Sequence, residues 1–251
     1  MSNVVIRRAV PAAVGIALAL AGSAYAKVIV GTPGNDRING SRQNDVIDAR
    51  AGNDLVFARA GDDAVTLGPG FDRAWAGKGN DTVFGDGGWD RIHGGPGDDA
   101  LHGGDGSDAL WGQAGNDSLD GGRGWDRLWG GTGDDTIDGG PGNDRIFGNL
   151  GRDTEFGGDG NDDMWALARA DVTGPNDTEG DVLHGGNGND RFHTRDGERD
   201  LVDCGPGVDT ALLDFKDVIV DATPGNPNGS CEVVQRAAPQ PRDQATETPD
   251  G

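Results

Sequence analysis

The chain has 251 residues, 47 of them Gly, and its acids outnumber its bases 43 to 21 for a formal charge of −22. So few large apolar side chains exclude a single thick core, and the negative charge excludes nucleic acid as a partner, because phosphate is repelled. Acid in this excess belongs either to a disordered chain or to one that takes up cations, and the order of the residues separates the two.

Residues 1–26 read as a secretory signal peptide. Arg7 and Arg8 form a positive start, and an apolar stretch from Ala9 to Ala21 follows, broken by Pro11 and Gly15. Ala24-Tyr25-Ala26 supplies an A-x-A cleavage site before Lys27. The alternative is an uncleaved anchor. Lys27, where a lipoprotein would have Cys, gives no lipid attachment. No later segment is apolar enough to cross a membrane. Cleavage would leave 19 bases against 43 acids, a charge of −24. The expected location is extracellular.

From Gly31 to Trp165 the sequence divides into fifteen blocks of nine without insertion, beginning GTPGNDRIN, GSRQNDVID, ARAGNDLVF. Position six is Asp in every block: Asp36, Asp45, Asp54, Asp63, Asp72, Asp81, Asp90, Asp99, Asp108, Asp117, Asp126, Asp135, Asp144, Asp153 and Asp162. Position four is Gly in fourteen, with Gln43 the exception. Position eight is aliphatic or Met in thirteen, with Ala74 and Glu155 the exceptions. Glycine permits positive φ and close backbone approach. Six turn residues followed by three strand residues, the eighth pointing inward, is the expected local structure. One block cannot bury its single aliphatic side chain, so blocks must stack.

The pattern resembles the RTX, or hemolysin-type, calcium-binding repeat G-G-x-G-x-D-x-U-x. Gly94-Gly95-Pro96-Gly97-Asp98-Asp99-Ala100-Leu101-His102 fits it at every fixed position. The resemblance implies an all-β parallel β-roll, a solenoid with two blocks per coil. Strands about 4.8 Å apart would make this segment a rod of roughly 36 Å. Alternate position-six Asp residues would line its two edges. Like charges stacked so closely repel unless cations lie between them. Ca²⁺ suits oxygen-only sites, and the resemblance places each ion between adjacent loops, on the Asp residues and turn carbonyls. The gaps between loops would admit about 13 ions. Zinc is disfavoured, because no Cys/His cluster has ligand spacing.

Beyond Trp165 regularity declines, and residues 166–203 read as degenerate repeats continuing the roll. Residues 166–175 read as a decayed block with Asp171 at position six, or as part of an inserted binding loop at 166–180. Asp181 and Asp190 keep the position-six role, and TRDGERDLVD carries one extra residue before Asp200. Residues 204–235 are expected to form a C-terminal cap. The only cysteines, Cys204 and Cys231, are an even count in an exported chain and point to a disulfide. The strand-like DVIVD (217–221) would cover the last coil. Residues 236–251, Pro-rich and polar, are expected to be disordered.

A second period lies within the first. Position nine of the odd blocks reads Phe57, Trp75, His93, Trp111, Trp129, Phe147 and Trp165. Position seven of odd blocks includes Arg37, Arg73, Arg91, Arg127 and Arg145. Eighteen-residue coils would align both sets on one outward face. That face either stabilises the sheet by stacking or binds a cell-surface glycan or protein. Ice binding is a weaker reading, since it calls for small Thr-type rows. An enzyme is not expected. There is no H-E-x-x-H or G-x-S-x-G motif, and all four histidines fall at position nine, where repeat phase explains them. Relatives with a catalytic domain carry it ahead of the repeats, and here the repeats begin four residues after the expected cleavage. The overall expectation is a secreted calcium-binding structural or adhesive module.

Overall fold

A computed structural model describes residues 27–166, 180–194, 197–222, 226 and 229–237. The leader 1–26, Asp171 and residues 238–251 lie outside these. Among the described residues there is no helix long and apolar enough to cross a membrane. The described residues form twenty-two strands that alternate strictly between two parallel sheets of eleven. Odd blocks supply one sheet and even blocks the other, never mixed. The pairing advances by eighteen residues, as in Ala109↔Arg127, Leu110↔Leu128 and Trp111↔Trp129. Ten steps of about 4.8 Å give a rod of roughly 48 Å. It is longer than the fifteen blocks imply, because further strands precede and follow them.

The strands are also longer than three residues. Arg91–Pro96 runs from position seven of one block to position three of the next. The ladder lapses at position one and resumes at Gln113↔Gly131. Glycines at positions one and two turn the backbone without losing register, so the turn shrinks to positions four to six. Gly97 shows why position four is Gly. Its φ is +140°, and a Cβ there would fall on the carbonyl oxygen of Gly79 in the preceding coil.

The core is two side chains thick. Position eight of one sheet (Ile38, Val56, Ile92, Leu110, Leu128, Ile146) faces position eight of the other (Ile47, Val65, Val83, Leu101, Leu119, Ile137), all fully buried. Position one also points inward, so that Ala49, Ala58, Leu67 and Ala76 join the core. Each buried Leu or Ile contributes roughly 1.5–3 kcal/mol, which only stacking makes available.

The roll continues past Trp165 with altered spacing. Asp153 N–H donates to Asp181 Oδ1 and Asp162 N–H to Asp190 Oδ1, each 28 residues on instead of 18. Between the strands Asp163–Trp165 and Arg191–Thr194 the described residues hold one strand, Val182–Asn187. Ten residues in excess of a coil therefore lie between 166 and 180. The next steps are 19, 19 and 17 residues.

Cys204-Gly205-Pro206-Gly207-Val208-Asp209-Thr210-Ala211-Leu212 proves to be another repeat. Its strand Thr210–Leu213 pairs with Arg191–Thr194. Cys204, at the inward position one, is bonded to Cys231 with the Cα atoms 5.3 Å apart. DVIVD does not cross the last coil. Its Val218–Ile219 is the last strand of the even sheet. Arg236, grouped with the tail by composition, ends the last strand of the odd sheet. It donates to the carbonyls of Asp214 and Asp217.

Candidate metal centres

The position-six aspartates form two columns, one on each edge of the roll. In the odd column Asp36 N–H donates to Asp54 Oδ1 at 2.7 Å, Asp54 N–H to Asp72 Oδ1, and so on through Asp90, Asp108, Asp126, Asp144, Asp162, Asp190 and Asp209. The even column runs through Asp45, Asp63, Asp81, Asp99, Asp117, Asp135, Asp153, Asp181, Asp200 and Asp217. All are buried. After Asp36, which heads the odd column, one oxygen of each carboxylate is thus spent on the backbone of the preceding coil.

The second oxygen is the informative one. The Oδ2 atoms of Asp54, Asp63, Asp72, Asp81, Asp90, Asp99, Asp108, Asp117, Asp126, Asp135, Asp144, Asp162, Asp190 and Asp209 are buried and receive no hydrogen bond. A buried anion in that condition is costly. Burial, opposed by the backbone hydrogen bond and reinforced by neighbouring carboxylates, raises the pKa of Asp90, Asp135 and Asp144 to about 8. The same causes raise Asp63, Asp81, Asp99 and Asp126 to about 7.

From Asp90 to Asp144, and again at Asp162 and Asp190, the orphaned oxygen is aimed at the space beside a position-one glycine. A Cβ on Gly103 would lie 2.5 Å from the Gly121 carbonyl oxygen and 2.7 Å from Asp108 Oδ2. A Cβ on Gly121 would lie 2.7 Å from the Gly139 carbonyl oxygen and 2.8 Å from Asp126 Oδ2. Carboxylate and carbonyl oxygens of successive coils thus converge where the side chain is missing. Among the described residues no three His, Cys, Asp or Glu side chains gather as a metal cluster. An ion here would draw the rest of its shell from carbonyl oxygens. Hard oxygen donors of mixed carboxylate and carbonyl type fit Ca²⁺, which would supply the charge that the columns lack.

The expected ligands are not equivalent. At the N-terminal end, Thr32 N–H and Oγ1 donate to Asp36 Oδ2 at 2.5 and 2.9 Å. Ser41 likewise donates its N–H to Asp45 Oδ2 and its Oγ to Oδ1. Hydroxyl residues at position two satisfy the oxygen that later coils leave bare. At the other end, sequence reasoning missed Asp209, Asp217 and Glu232. Glu232 Oε2 accepts from Asp209 N–H at 2.7 Å and ends the odd column. The motif G-P-G-V-D-T-A around Asp209 was the available signal.

Position nine of the odd blocks forms the expected ladder. Phe57, Trp75, His93, Trp111, Trp129, Phe147, Trp165 and His193 stack with centroids 4.3–5.6 Å apart and planes within 9°. Arg37 lies 4.9 Å over the Phe57 ring. The ring faces cover one another, and Trp129 and Phe147 are buried, so the ladder offers solvent mainly ring edges. The even sheet carries two isolated pairs, Phe84–His102 and Phe156–His184.

A different aromatic set is exposed. Phe71, Trp89 and Trp125 occupy position five on the odd edge and are 60, 66 and 68% exposed. Elsewhere position five is mostly Asn or Asp, whose side chain accepts the N–H of the next coil, as in Asn80 N–H to Asp62 Oδ1 and Asp98 N–H to Asn80 Oδ1. An aromatic ring cannot accept that bond, and Trp89 N–H turns to the Gly70 carbonyl at 3.3 Å.

No curated protein matches the chain. The profile of the RTX calcium-binding nonapeptide repeat matches residues 30–65, 66–101, 93–124, 102–137, 120–155, 138–172 and 177–201. Those segments cover most of the roll and hold both aspartate columns as far as Asp200. On repeat, fold and family profile together, the chain belongs to the RTX calcium-binding repeat family.

Proposed function

We propose that the protein is an exported, non-enzymatic rod that folds on meeting calcium outside the cell. One observation carries this reading: the two columns of buried carboxylates, in which the Oδ2 atoms of Asp54, Asp63, Asp72, Asp81, Asp90, Asp99, Asp108, Asp117, Asp126, Asp135 and Asp144 receive no hydrogen bond. Inside a cell poor in calcium the chain would stay extended and threadable through an export channel. Outside, the ions would neutralise the columns and permit burial. RTX repeats are typical of secreted proteins, which agrees with the leader. The register agrees as well. Lys27 N lies 3.2 Å from Asp45 Oδ1, eighteen residues before it. Cleavage after Ala26 would leave an ammonium there, capping the even column.

Circular dichroism of the mature chain tests the proposal. Metal-free protein at neutral pH and low salt should be mostly coil and convert to β on adding Ca²⁺ at about 10⁻⁴ to 10⁻³ M. Mg²⁺ should substitute poorly, because it demands a tight octahedron and dehydrates reluctantly. A stable β spectrum without metal at neutral pH would sink the proposal.

A second reading, adhesion to an extracellular glycan, is favoured by the position-five rings. Phe71, Trp89 and Trp125 cannot accept the hydrogen bond that Asn or Asp accepts at this position, and they stay mostly exposed although Phe71 and Trp89 meet with ring centroids 5.9 Å apart, so the fold gains little from them. Replacing Trp89 and Trp125 with Asn, the usual residue there, should abolish glycan binding and leave the calcium-loaded fold intact. Unchanged binding would leave the scaffold role alone.

A further inference from the structure

The outward faces of the two sheets differ in charge. Position seven on the odd sheet carries Arg37, Arg73, Arg91, Arg127, Arg145 and Arg191, all exposed. The described strands of the even sheet have no base at that position. Among the described residues one acid interrupts the Arg row. Asp163 lies in register between Arg145 and Arg191 on three neighbouring strands. Its side chain is short, and Arg191 Nη1 comes only within 3.9 Å of Asp163 Oδ1 while the Arg191 side chain stays 69% exposed.

Both outward rows fall away just beyond this point. Position seven passes from Arg191 to Thr210, and position nine from His193 to Leu212. The ladder that starts at Phe57 therefore ends against a side chain without a ring. The step leaves an open cleft of about 500 Å³, lined by both arginines, Asp163, Trp165, His193, Thr210 and Leu212. That volume is in the range of small-ligand sites. Two guanidiniums against one carboxylate make the cleft positive, in a chain whose formal charge is −22. Asp163 and Thr210 offer hydrogen-bonding partners for hydroxyls. Leu212 and the edge of Trp165 supply an apolar wall.

We propose that this cleft binds one sugar acid, the carboxylated ring of an extracellular glycan. A guanidinium meets a carboxylate in plane and through two hydrogen bonds. The C–H face of the sugar lies on Leu212 and Trp165, and its hydroxyls donate to Asp163. A neutral sugar would leave the excess positive charge unmatched, and an aromatic acid would bring Asp163 no hydroxyl donor. The inference rests on the adhesive reading for its class of partner. It moves the contact from the rings at position five to the face of the odd sheet, and it adds a requirement for negative charge on the ligand.

Calorimetric titration of the mature protein in saturating calcium tests this with the methyl glycoside of glucuronic acid and, as the neutral counterpart, methyl glucoside. Wild type should bind a single equivalent of the acid and no measurable neutral sugar. Arg145→Gln and Arg191→Gln should each weaken binding by about tenfold or more, the size of a lost charge-assisted hydrogen bond. Leu212→Trp keeps every charge, extends the ladder by one ring and fills the cleft, and it should abolish binding. Circular dichroism in calcium checks that each variant folds, and the two Arg variants keep the comparison available if Leu212→Trp does not. No binding of the acid by wild type, equal binding of both sugars, or binding that survives both Arg changes would overturn the inference. Binding that needs Trp89 and Trp125 but neither Arg would overturn it in favour of the edge. Binding that needs the arginines but not those two rings would support the cleft and remove the edge reading instead.

Discussion

At the scale of single residues, the two oxygens of each aspartate have separable duties. Asp108 Oδ1 accepts the Asp90 N–H at 2.7 Å, while its Oδ2 receives nothing. Asp108→Asn keeps the first function and removes the charge. Burial already pushes the Asp108 pKa up to about 6, so the ionised form is the strained one. The variant should need less help to fold without calcium, yet bind calcium more weakly. Circular dichroism titrations should show more β structure at zero calcium and a calcium midpoint moved upward. Equal midpoints would mean that Oδ2 meets no ion. The glycines make a complementary prediction. Gly97→Ala puts a Cβ on the Gly79 carbonyl at a φ of +140°. It should cost about 1–3 kcal/mol of calcium-loaded stability, read as a lowered melting temperature. The glycine and aspartate duties were legible in the sequence because a strict period of nine repeats the same environment fifteen times. The separate fates of Oδ1 and Oδ2 were not, since they depend on contacts between coils. Nor was the exception at Asp36 and Asp45, where Thr32 and Ser41 supply the missing donors.

At the scale of elements, the odd sheet is held from outside by its ladder. Replacing Trp111 and Trp129 with Thr keeps β-propensity and removes three stacks, His93–Trp111, Trp111–Trp129 and Trp129–Phe147. Each aromatic pair is worth about 0.5–1.5 kcal/mol beyond its buried area. Thermal unfolding in calcium should shift down accordingly. Changing Asp120 on the even sheet, whose side chain lies 3.3 Å from the part-exposed His102, should shift it little. The aromatic period and the stacking it allows were visible in the sequence, but the burial of Trp129 and Phe147 was not. The exposed rings at position five gave no sign in the sequence, because they lie in turns and break a row of Asn and Asp without a period of their own. The last coils were misread for a physical reason. Sheet register holds while loop length varies, so steps of 19, 17 and 23 residues defeat a count by nines. Cys204 then looked like a boundary, although it sits at position one of a repeat. Its bond to Cys231 spans 27 residues, and losing it should cost about 3 kcal/mol in the chain-entropy picture. That loss should show as fraying of the strands Thr210–Leu213 and Val233–Arg236 in hydrogen exchange before the rest of the roll.

At the scale of the whole molecule, the two columns make protons and calcium rivals. Folded-state pKa values are raised from 3.8 to about 6 at Asp72, Asp117 and Asp190 and to about 8 at Asp90, Asp135 and Asp144. Burial is the largest cause in each. A raised folded pKa means that the folded state holds more protons than the unfolded one through this window. The ion-free roll therefore gains stability as pH falls from about 8 toward the unfolded value, and loses it as pH rises through the folded values. In metal-free buffer, acidification from pH 8 to 5 should drive the coil toward β structure without calcium. With calcium present the dependence reverses in sense, because the ion needs the ionised carboxylates. Affinity should weaken from pH 8 to 6, and each ion bound near pH 6 should release protons. Calorimetric titrations in two buffers of different ionisation enthalpy count those protons. The count should be clearly above zero at pH 6 and smaller at pH 8.5, where the columns are already ionised. A pH-independent calcium affinity together with no acid-induced folding would mean that the columns reach solvent, and that buried unpaired charge does not control when this rod forms.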